Sequence, residues 1–394
     1  MQRQSNLIVA IAAACGAGIA IVLLYPGQYP YDAANQLWQA RTGHLGDGSP
    51  VTMAALWSLL LWLTGNPAAL FLVNVVLFWA GLALCAASFD VPPVLRIAPL
   101  IVIGLSPLAL LQMGHVLTDA HFAAAMMLAI GFAARGLVGG KGTALVACTA
   151  AVAFALDRSL VKRPITAWPT LVLWDLAAIS VVHDTLLLPA FTHGHGLTVE
   201  ELERAKAFDE AVDAPLFQRS QSAVNDGYGR PYTPAQKREL LAAWYSAVTT
   251  YPGAYLHHRL RTFGLLIGTH EDLPGFAYIH GRIQYNDNPA LPDMLAPRAQ
   301  ETLYRLAARL EPGWVFAALP YLVLSIVACV AGWIRRDRPT GVLALAVAGS
   351  ALAYAAAYVF LAPAADLRYL TWPIVAAPLA FAFALSRSPQ TGRP

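Results

Sequence analysis

Apolar residues in this chain fall in long unbroken runs rather than in one-sided stripes. The runs occupy 7–25, 67–88, 95–113, 119–138, 143–157, 314–334, 340–361 and 369–386. A helix rises 1.5 Å per residue and needs ~20 apolar residues to cross a bilayer core. The pattern therefore predicts about eight membrane-spanning helices, with 143–157 the weakest. A further run, VTMAALWSLLLWLTG (51–65), reads either as a short span or as a helix lying at the membrane surface. Between 158 and 313 the pattern changes. LTVEELERAKAFDEAVDAPLFQ has apolar positions at helical spacing and opens with a Thr198–Glu201 capping-box pattern. TPAQKRELLAAWYSAVTTYP opens with Thr233-Pro234, a helix start. NDGYGRPYTP (225–234) is turn-rich, nothing alternates as strand, and no repeat is visible.

The reading is an all-α polytopic membrane protein in three parts. Residues 1–157 form an N-terminal transmembrane module whose first outer loop is 26–66. Residues 158–313 form a mainly helical extracytoplasmic domain, and 314–394 a C-terminal transmembrane hairpin plus a last span.

Composition agrees. The chain is 57% hydrophobic and 12% charged, against about 25% charged for an average soluble domain. The net charge of +3 is small and no basic stripe is concentrated anywhere, which excludes a nucleic-acid partner. Cys15, Cys85, Cys148 and Cys329 each fall inside an apolar run, in no CxxC pattern, and read as small membrane-buried side chains. The N-terminus has a basic start and a small-residue-rich stretch, as a signal peptide has. Its apolar run of about 19 residues exceeds the ~7–15 of such leaders, so an uncleaved first span is expected.

Lys and Arg favour the cytoplasmic side. With Arg3 inside and 51–65 not crossing, the inside loops hold Arg96, Arg135 with Lys141, the RRDR turn (Arg335, Arg336, Arg338), then Arg387 and Arg393. If 51–65 crosses, that turn is placed outside. The charge rule thus selects eight spans, both termini inside and 51–65 as a surface or re-entrant helix. DRSLVKRP (157–164) then falls outside, against the rule.

Ionisable groups at span ends are the informative ones, because each costs ~2.5–3.5 kcal/mol at a span centre. In YPGQYPYDAANQLWQA (25–40), Asp32, Gln36 and Gln39 share one face if the segment is helical. Asp32 is either a helix-capping carboxylate or a base that takes a proton from an acceptor hydroxyl, with the amides positioning a polar substrate. Asp119 either caps the fourth span or, with His115, lines the same outer cavity and binds a phosphate-bearing donor through a divalent cation or orients a polar group directly. Spacing alone supports no metal site. Arg368 at the outer end of the last span suits a phosphate, or snorkels beside Tyr369 and Trp372. His257, His258, Arg259 and Arg261 flank an apolar helical run that reads as amphipathic and near lipid phosphates. His193 and His195 form an HxH pair with no third ligand in sight.

YPGQYPYDAANQLWQARTGHLGDGSPVTMAALW, together with LTDAHFAAAMMLA, LVLWDLAAISVVHDTLLLPA, TYPGAYLHHRLRTFG and DLRYLTWP in that order, resembles a poorly characterised bacterial family of GT-C type membrane glycosyltransferases. The family pattern is PG…D…Q..QA..G…D.H.P…LW. The resemblance implies a GT-C-like helix bundle in the bacterial cytoplasmic membrane. It implies a polyprenyl-phosphate-linked sugar donor, an envelope glycan, lipid or protein acceptor, and inverting transfer on the outer face. The first-loop acid of the family matches Asp32 as general base, and the second acid matches Asp119, a donor-phosphate or metal ligand. Gln36, Gln39, His115, Arg259 and Arg368 are the accompanying substrate-binding candidates. No cofactor is implied beyond a divalent cation at Asp119. The chain departs from the pattern twice. DGSP (Asp47, Gly48, Ser49, Pro50) lacks the usual His, and a hairpin of spans expected between AARGLVGGKGT and AFALDRSLVKRP is absent. Two other function classes stay open, a non-catalytic membrane subunit and a transporter or flippase of envelope glycans. The latter calls for charges at mid-membrane and inverted repeats, which the sequence lacks.

Overall fold

The computed structural model describes residues 2–46, 50–139, 168–193, 197–204, 208–218, 232–268 and 281–386. The run at 143–157, the basic cluster at 157–164, Cys148, His195 and the family departures at 47–49 and in the missing-hairpin region lie outside these residues. The described residues are α-helical with no strands; only isolated bridges occur.

The helices are α1 (Gln2–Leu24), α2 (Tyr31–Thr42), α3 (Val51–Thr64), α4 (Ala69–Ala86), α5 (Pro93–Gly104), α6 (Pro107–Met113) and α7 (Thr118–Gly139). They continue with α8 (Trp168–His183), α9 (Val199–Arg204), α10 (Ala214–Gln218), α11 (Pro234–Thr250), α12 (Pro252–Ile267), α13 (Pro297–Leu310), α14 (Leu319–Ile334), α15 (Pro339–Leu361) and α16 (Thr371–Leu385). Among the described residues, four segments are long and apolar enough to cross a membrane: Gln4–Leu24, Ala69–Ala86, Pro339–Leu361 and Leu367–Leu385. A fifth is added if α5 and α6 count as one span. This is the build of a multi-pass membrane protein.

The expected span at 95–113 is broken: α5 and α6 meet at 63°. Ser106-Pro107 is the cause. The ring of Pro107 pushes the preceding residue out of the helical region, and Ser106 sits at φ −61°, ψ 139°. Its Oγ then accepts the Ala109 N–H at 3.2 Å, starting a new helix. α3 has 14 residues, about 21 Å of helix against a ~30 Å hydrocarbon core. Its first half is buried, Trp57 fully, while Trp62 and Leu63 are exposed, so it packs on α2 and α4 by one end.

α16 is the hub of the bundle, packed by α5, α7, α14 and α15. Trp372 and Phe383 are buried in it, and the Trp372 indole donates to Ser350 Oγ at 3.2 Å. Truncating such a side chain costs about 3–5 kcal/mol. α4 and α7 lie unusually close: a Cβ on Gly81 would meet the Met127 backbone at 2.5 Å, so this approach needs glycine.

A second core sits between α8, α9, α10, α11 and α12. The capping box expected at Thr198 forms, the helix start expected at Thr233-Pro234 forms, and the structure adds a capping box at Thr233. Thr198 and Glu201 bond reciprocally at 3.1 and 3.2 Å, and Thr233 and Gln236 do so at 2.9 and 3.2 Å. α13 lies within 158–313 in sequence but packs on α1 and α6, with Gln300 Nε2 donating to Leu23 O at 3.0 Å. α13 also shares a core with Leu266 and Ala211 of the preceding segment, through Ala307.

The bundle has two chemically different ends. Arg96 reaches Val91 O and Asn6, Arg135 reaches Ala87 O, and Arg335 donates to Ala384 O. These arginines gather where α1 and α5 begin and α4, α7 and α16 finish. The other end holds the carboxylates described next.

Candidate functional site

The stretch after α1 is fixed by its backbone. Gly27 adopts φ 101°, open only to glycine at low cost. Gln28 N then donates to Gly114 O at 2.9 Å, and Val116 N to Gln28 O at 3.1 Å. On its other side Tyr29 N donates to Gly281 O, and Ile283 N to Tyr29 O, both at 2.9 Å. Residues 28–29 are thus sandwiched between 114–116 and 281–283. The Tyr29 hydroxyl adds a bond to Pro67 O at 3.0 Å. This pins the start of α2 beside the start of α7.

Asp32 sits in the first turn of α2, where the helix dipole favours a negative charge. Its side chain is 50% exposed, and its Oδ2 is 2.7 Å from Arg368 Nη1. Arg368 also lies 2.7 Å from Asp366 through Nε, and Nη2 donates to the Tyr369 hydroxyl at 3.2 Å. Asp366 in turn accepts the Arg368 N–H at 3.0 Å and so caps the turn that carries the arginine. Burial pushes the Asp366 carboxyl up from its ordinary pKa, with Arg368 pulling the other way. Asp119 feels the charges of Arg368, Asp366 and Asp32 without an ion pair to any of them. The site therefore sets two carboxyls, Asp32 and Asp366, on one guanidinium, with Asp119 within electrostatic range.

Gln36 joins this group. Its Nε2 donates to Thr118 Oγ1 at 3.1 Å, one residue before Asp119. Its Oε1 is buried with no hydrogen-bond partner, an acceptor left for something else. Three candidates lie elsewhere. Gln39 is buried and its Oε1 accepts Gly46 N–H at 3.1 Å, bracing the loop after α2. His115 is buried in the backbone pairing with Gln28. Arg259 is 1% exposed and 2.6 Å from Asp175, with further bonds to Ala362 O at 3.0 Å and Leu171 O at 3.4 Å.

The expected membrane-facing role of 257–261 is reversed in part. α12 buries Ala254, His258, Arg259, Thr262 and Leu266, whereas Leu256, His257, Leu260 and Arg261 are exposed. His258 is 3.7 Å from Asp175. Burial, with Arg259 and His257 adding, pushes its pKa down to about 3, so it is neutral near pH 7. Arg259 still bears on the site at one remove. Its bond to Ala362, with Asp213 N to Pro363 O at 3.3 Å and Ala365 N to Ala211 O at 2.6 Å, holds the loop leading to Asp366 and Arg368.

The spacing did not reveal an aromatic ladder leading away from Arg368. Tyr369 stacks on Tyr358 at 5.4 Å, Tyr358 neighbours Tyr354 at 5.3 Å, and Tyr354 stacks on Phe122 at 5.3 Å. Its one signal was Tyr354 and Tyr358 at i, i+4 inside an apolar run. Among the described residues, no three His, Cys, Asp or Glu side chains are grouped to hold a metal ion. Arg368 fills the space between Asp32 and Asp366, so these residues do not fit a cation bound there.

No protein-family model matches the chain, nor does any curated protein or any solved structure.

Proposed function

We propose that the chain is an integral membrane glycosyltransferase of the GT-C type. It would transfer a sugar from a polyprenyl-phosphate donor to an acceptor of the cell envelope, on the outer face of the bacterial cytoplasmic membrane. The observation that carries this reading is the Asp32–Arg368 pair, which joins a half-exposed carboxylate and a guanidinium 336 residues apart at 2.7 Å. One is a base at the boundary of the bundle; the other suits a phosphate. The gathering of Arg96, Arg135 and Arg335 at the opposite end supports that end as cytoplasmic.

In this reading the ion pair is the resting state. The donor phosphate takes Arg368, and Asp32 is released. Asp32 then accepts the proton of an acceptor hydroxyl as its oxygen attacks the anomeric carbon. The C–O bond to polyprenyl phosphate breaks, and Arg368 stabilises the charge on the departing phosphate. Because the leaving group is already a phosphate, no strong general acid is needed. Gln36 Oε1 supplies a fixed acceptor for a substrate hydroxyl, and Asp119, when ionised, adds to the field at Arg368.

The test is Asp32→Asn in membranes supplied with a radiolabelled polyprenyl-phosphate hexose. Label transfer should vanish while membrane insertion is kept; full transfer would remove Asp32 from the base role. A second reading, a non-catalytic subunit, draws on the same pair, since a neutralised carboxylate also serves as a clamp. It predicts no transfer by the unmodified protein and a lowered melting temperature in Asp32→Asn.

A further inference from the structure

Segment 281–291 lies across α2 like a strap. Arg41 donates to Asp287 O at 2.8 Å and to Asn288 Oδ1 at 3.2 Å, and Asn288 Nδ2 donates to Ala34 O at 2.7 Å. Tyr285 meets Tyr31 edge-on at 5.3 Å. Between strap and helix is a cavity of about 240 Å³, lined by Tyr29, Leu37, Arg282, Gln284, Asn288 and Leu291 among others. Ala34 and Leu37 give it the face of α2 turned away from Asp32 and Gln36. The site described above is therefore on the other side of the helix.

The wall has an unbalanced charge. Arg282 Nη2 is buried and has no hydrogen-bond partner, and among the described residues Arg282 forms no ion pair. Its nearest opposing influences are Tyr304, Tyr29 and Asp293, acting at range, while burial works against its charge. The cavity's other polar groups are already engaged with one another, as Gln284 Nε2 donates to Asn288 O at 2.7 Å. A guanidinium cannot shed its proton. Arg282 lines the cavity, so its guanidinium can offer charge-assisted hydrogen bonds to an anion held there. Its buried, unmet Nη2 leaves the cation short of partners within the protein. The remaining wall, from Leu37, Ile283, Pro289, Ala290 and Leu291, is apolar, and Leu291 packs on the bundle core.

We infer that this cavity binds a phosphate-type oxyanion through Arg282, either free or as a lipid headgroup. The apolar wall beside the guanidinium takes the small body that carries the anion. The inference does not depend on the glycosyltransferase reading, because no residue of that site lines the cavity.

The experiment uses the full chain. In detergent it is titrated with sodium phosphate against sodium chloride at matched ionic strength. In nanodiscs it is compared in phosphatidylcholine alone and with phosphatidylglycerol. Thermal unfolding is followed in each. The melting temperature should rise with phosphate, with phosphatidylglycerol, or with both. A rise with phosphate assigns a free anion, and a rise with phosphatidylglycerol alone assigns a lipid headgroup. Arg282→Gln should weaken the apparent affinity about tenfold or more, while Arg305→Gln, at an exposed surface position, should leave it unchanged. If Arg282→Gln does not fold, Arg282→Lys keeps the charge without the fork and should weaken affinity several-fold. Equal responses to phosphate and chloride together with equal responses in the two lipids overturn the inference. So does wild-type affinity in whichever variant folds.

Discussion

Two arginines in this protein each face an aspartate, and they behave as opposites. Arg259 and Asp175 are 1% and 2% exposed, 2.6 Å apart, and the guanidinium also donates to backbone carbonyls at Ala362 and Leu171. Arg368 and Asp32 are 14% and 50% exposed at 2.7 Å. The first pair has lost its water and must stay together, because either partner alone would be a buried charge. The second keeps water on one side, so its carboxylate can exchange partners at little cost. Proximity of opposite charges alone does not distinguish the two pairs; under the proposed function, solvent on Asp32 is what leaves the second pair free to open.

Several measurements sharpen or break this contrast. Asp32→Asn should lower transfer by about 10²–10⁴-fold, the usual contribution of a positioned base. Thermal unfolding should change by less than about 1 kcal/mol, because the pair is half in water. A large loss of stability with no loss of turnover would invert the comparison. Arg259→Ala should do the reverse, destabilising the helical domain by about 3–5 kcal/mol, read from denaturant or thermal unfolding. Activity should fall only through the loosened 362–366 loop.

The pH dependence follows from His258. Its folded pKa is about 3, below the ordinary ~6.5 of the unfolded chain. The unfolded state therefore binds the extra proton, and stability falls as pH drops below ~6.5 toward the folded value. From pH 7 to 5 the loss should be about 2 kcal/mol, and His258→Gln should flatten the profile. An unchanged slope in that variant would place the titration elsewhere. The smallest effect belongs to Arg261–Glu210, 3.2 Å apart with side chains 56% and 52% exposed. Glu210→Gln should shift unfolding by less than about 1 kcal/mol, setting the scale for a pair in which both partners are about half exposed.

What could be read from the sequence followed local rules. The capping box at Thr198 and the helix start at Thr233-Pro234 depend on neighbouring residues, and both formed. The shortness of 51–65 and the shared face of Asp32 and Gln36 are likewise properties of one segment. The sequence was less informative where partners are distant. Pro107 announced a local break, yet the run at 95–113 was apolar throughout and read as one span. Gln39 shares the face of Asp32 but is turned to Gly46 by a loop that spacing cannot describe. Arg259 looked like a surface cation because Asp175, its partner, sits 84 positions earlier on a helix whose other residues are nearly all apolar. The Arg282 cavity left no trace in the pattern, because its walls come from residues 29–37 and 282–291.

The distance along the chain between Asp32 and Arg368 also has a consequence in time. They are separated by 336 residues, and a ribosome adds ~5–20 residues per second. After Asp32 emerges, roughly 20 to 70 s pass before its guanidinium exists. During that interval the nascent protein carries an exposed carboxylate and no matching cation, and its first loop also awaits the 281–283 segment. The Asp32–Arg368 pair is thus completed late in synthesis, with only α16 and the C-terminal residues still to follow. A chain truncated before residue 368 would insert its early helices yet never close the pair.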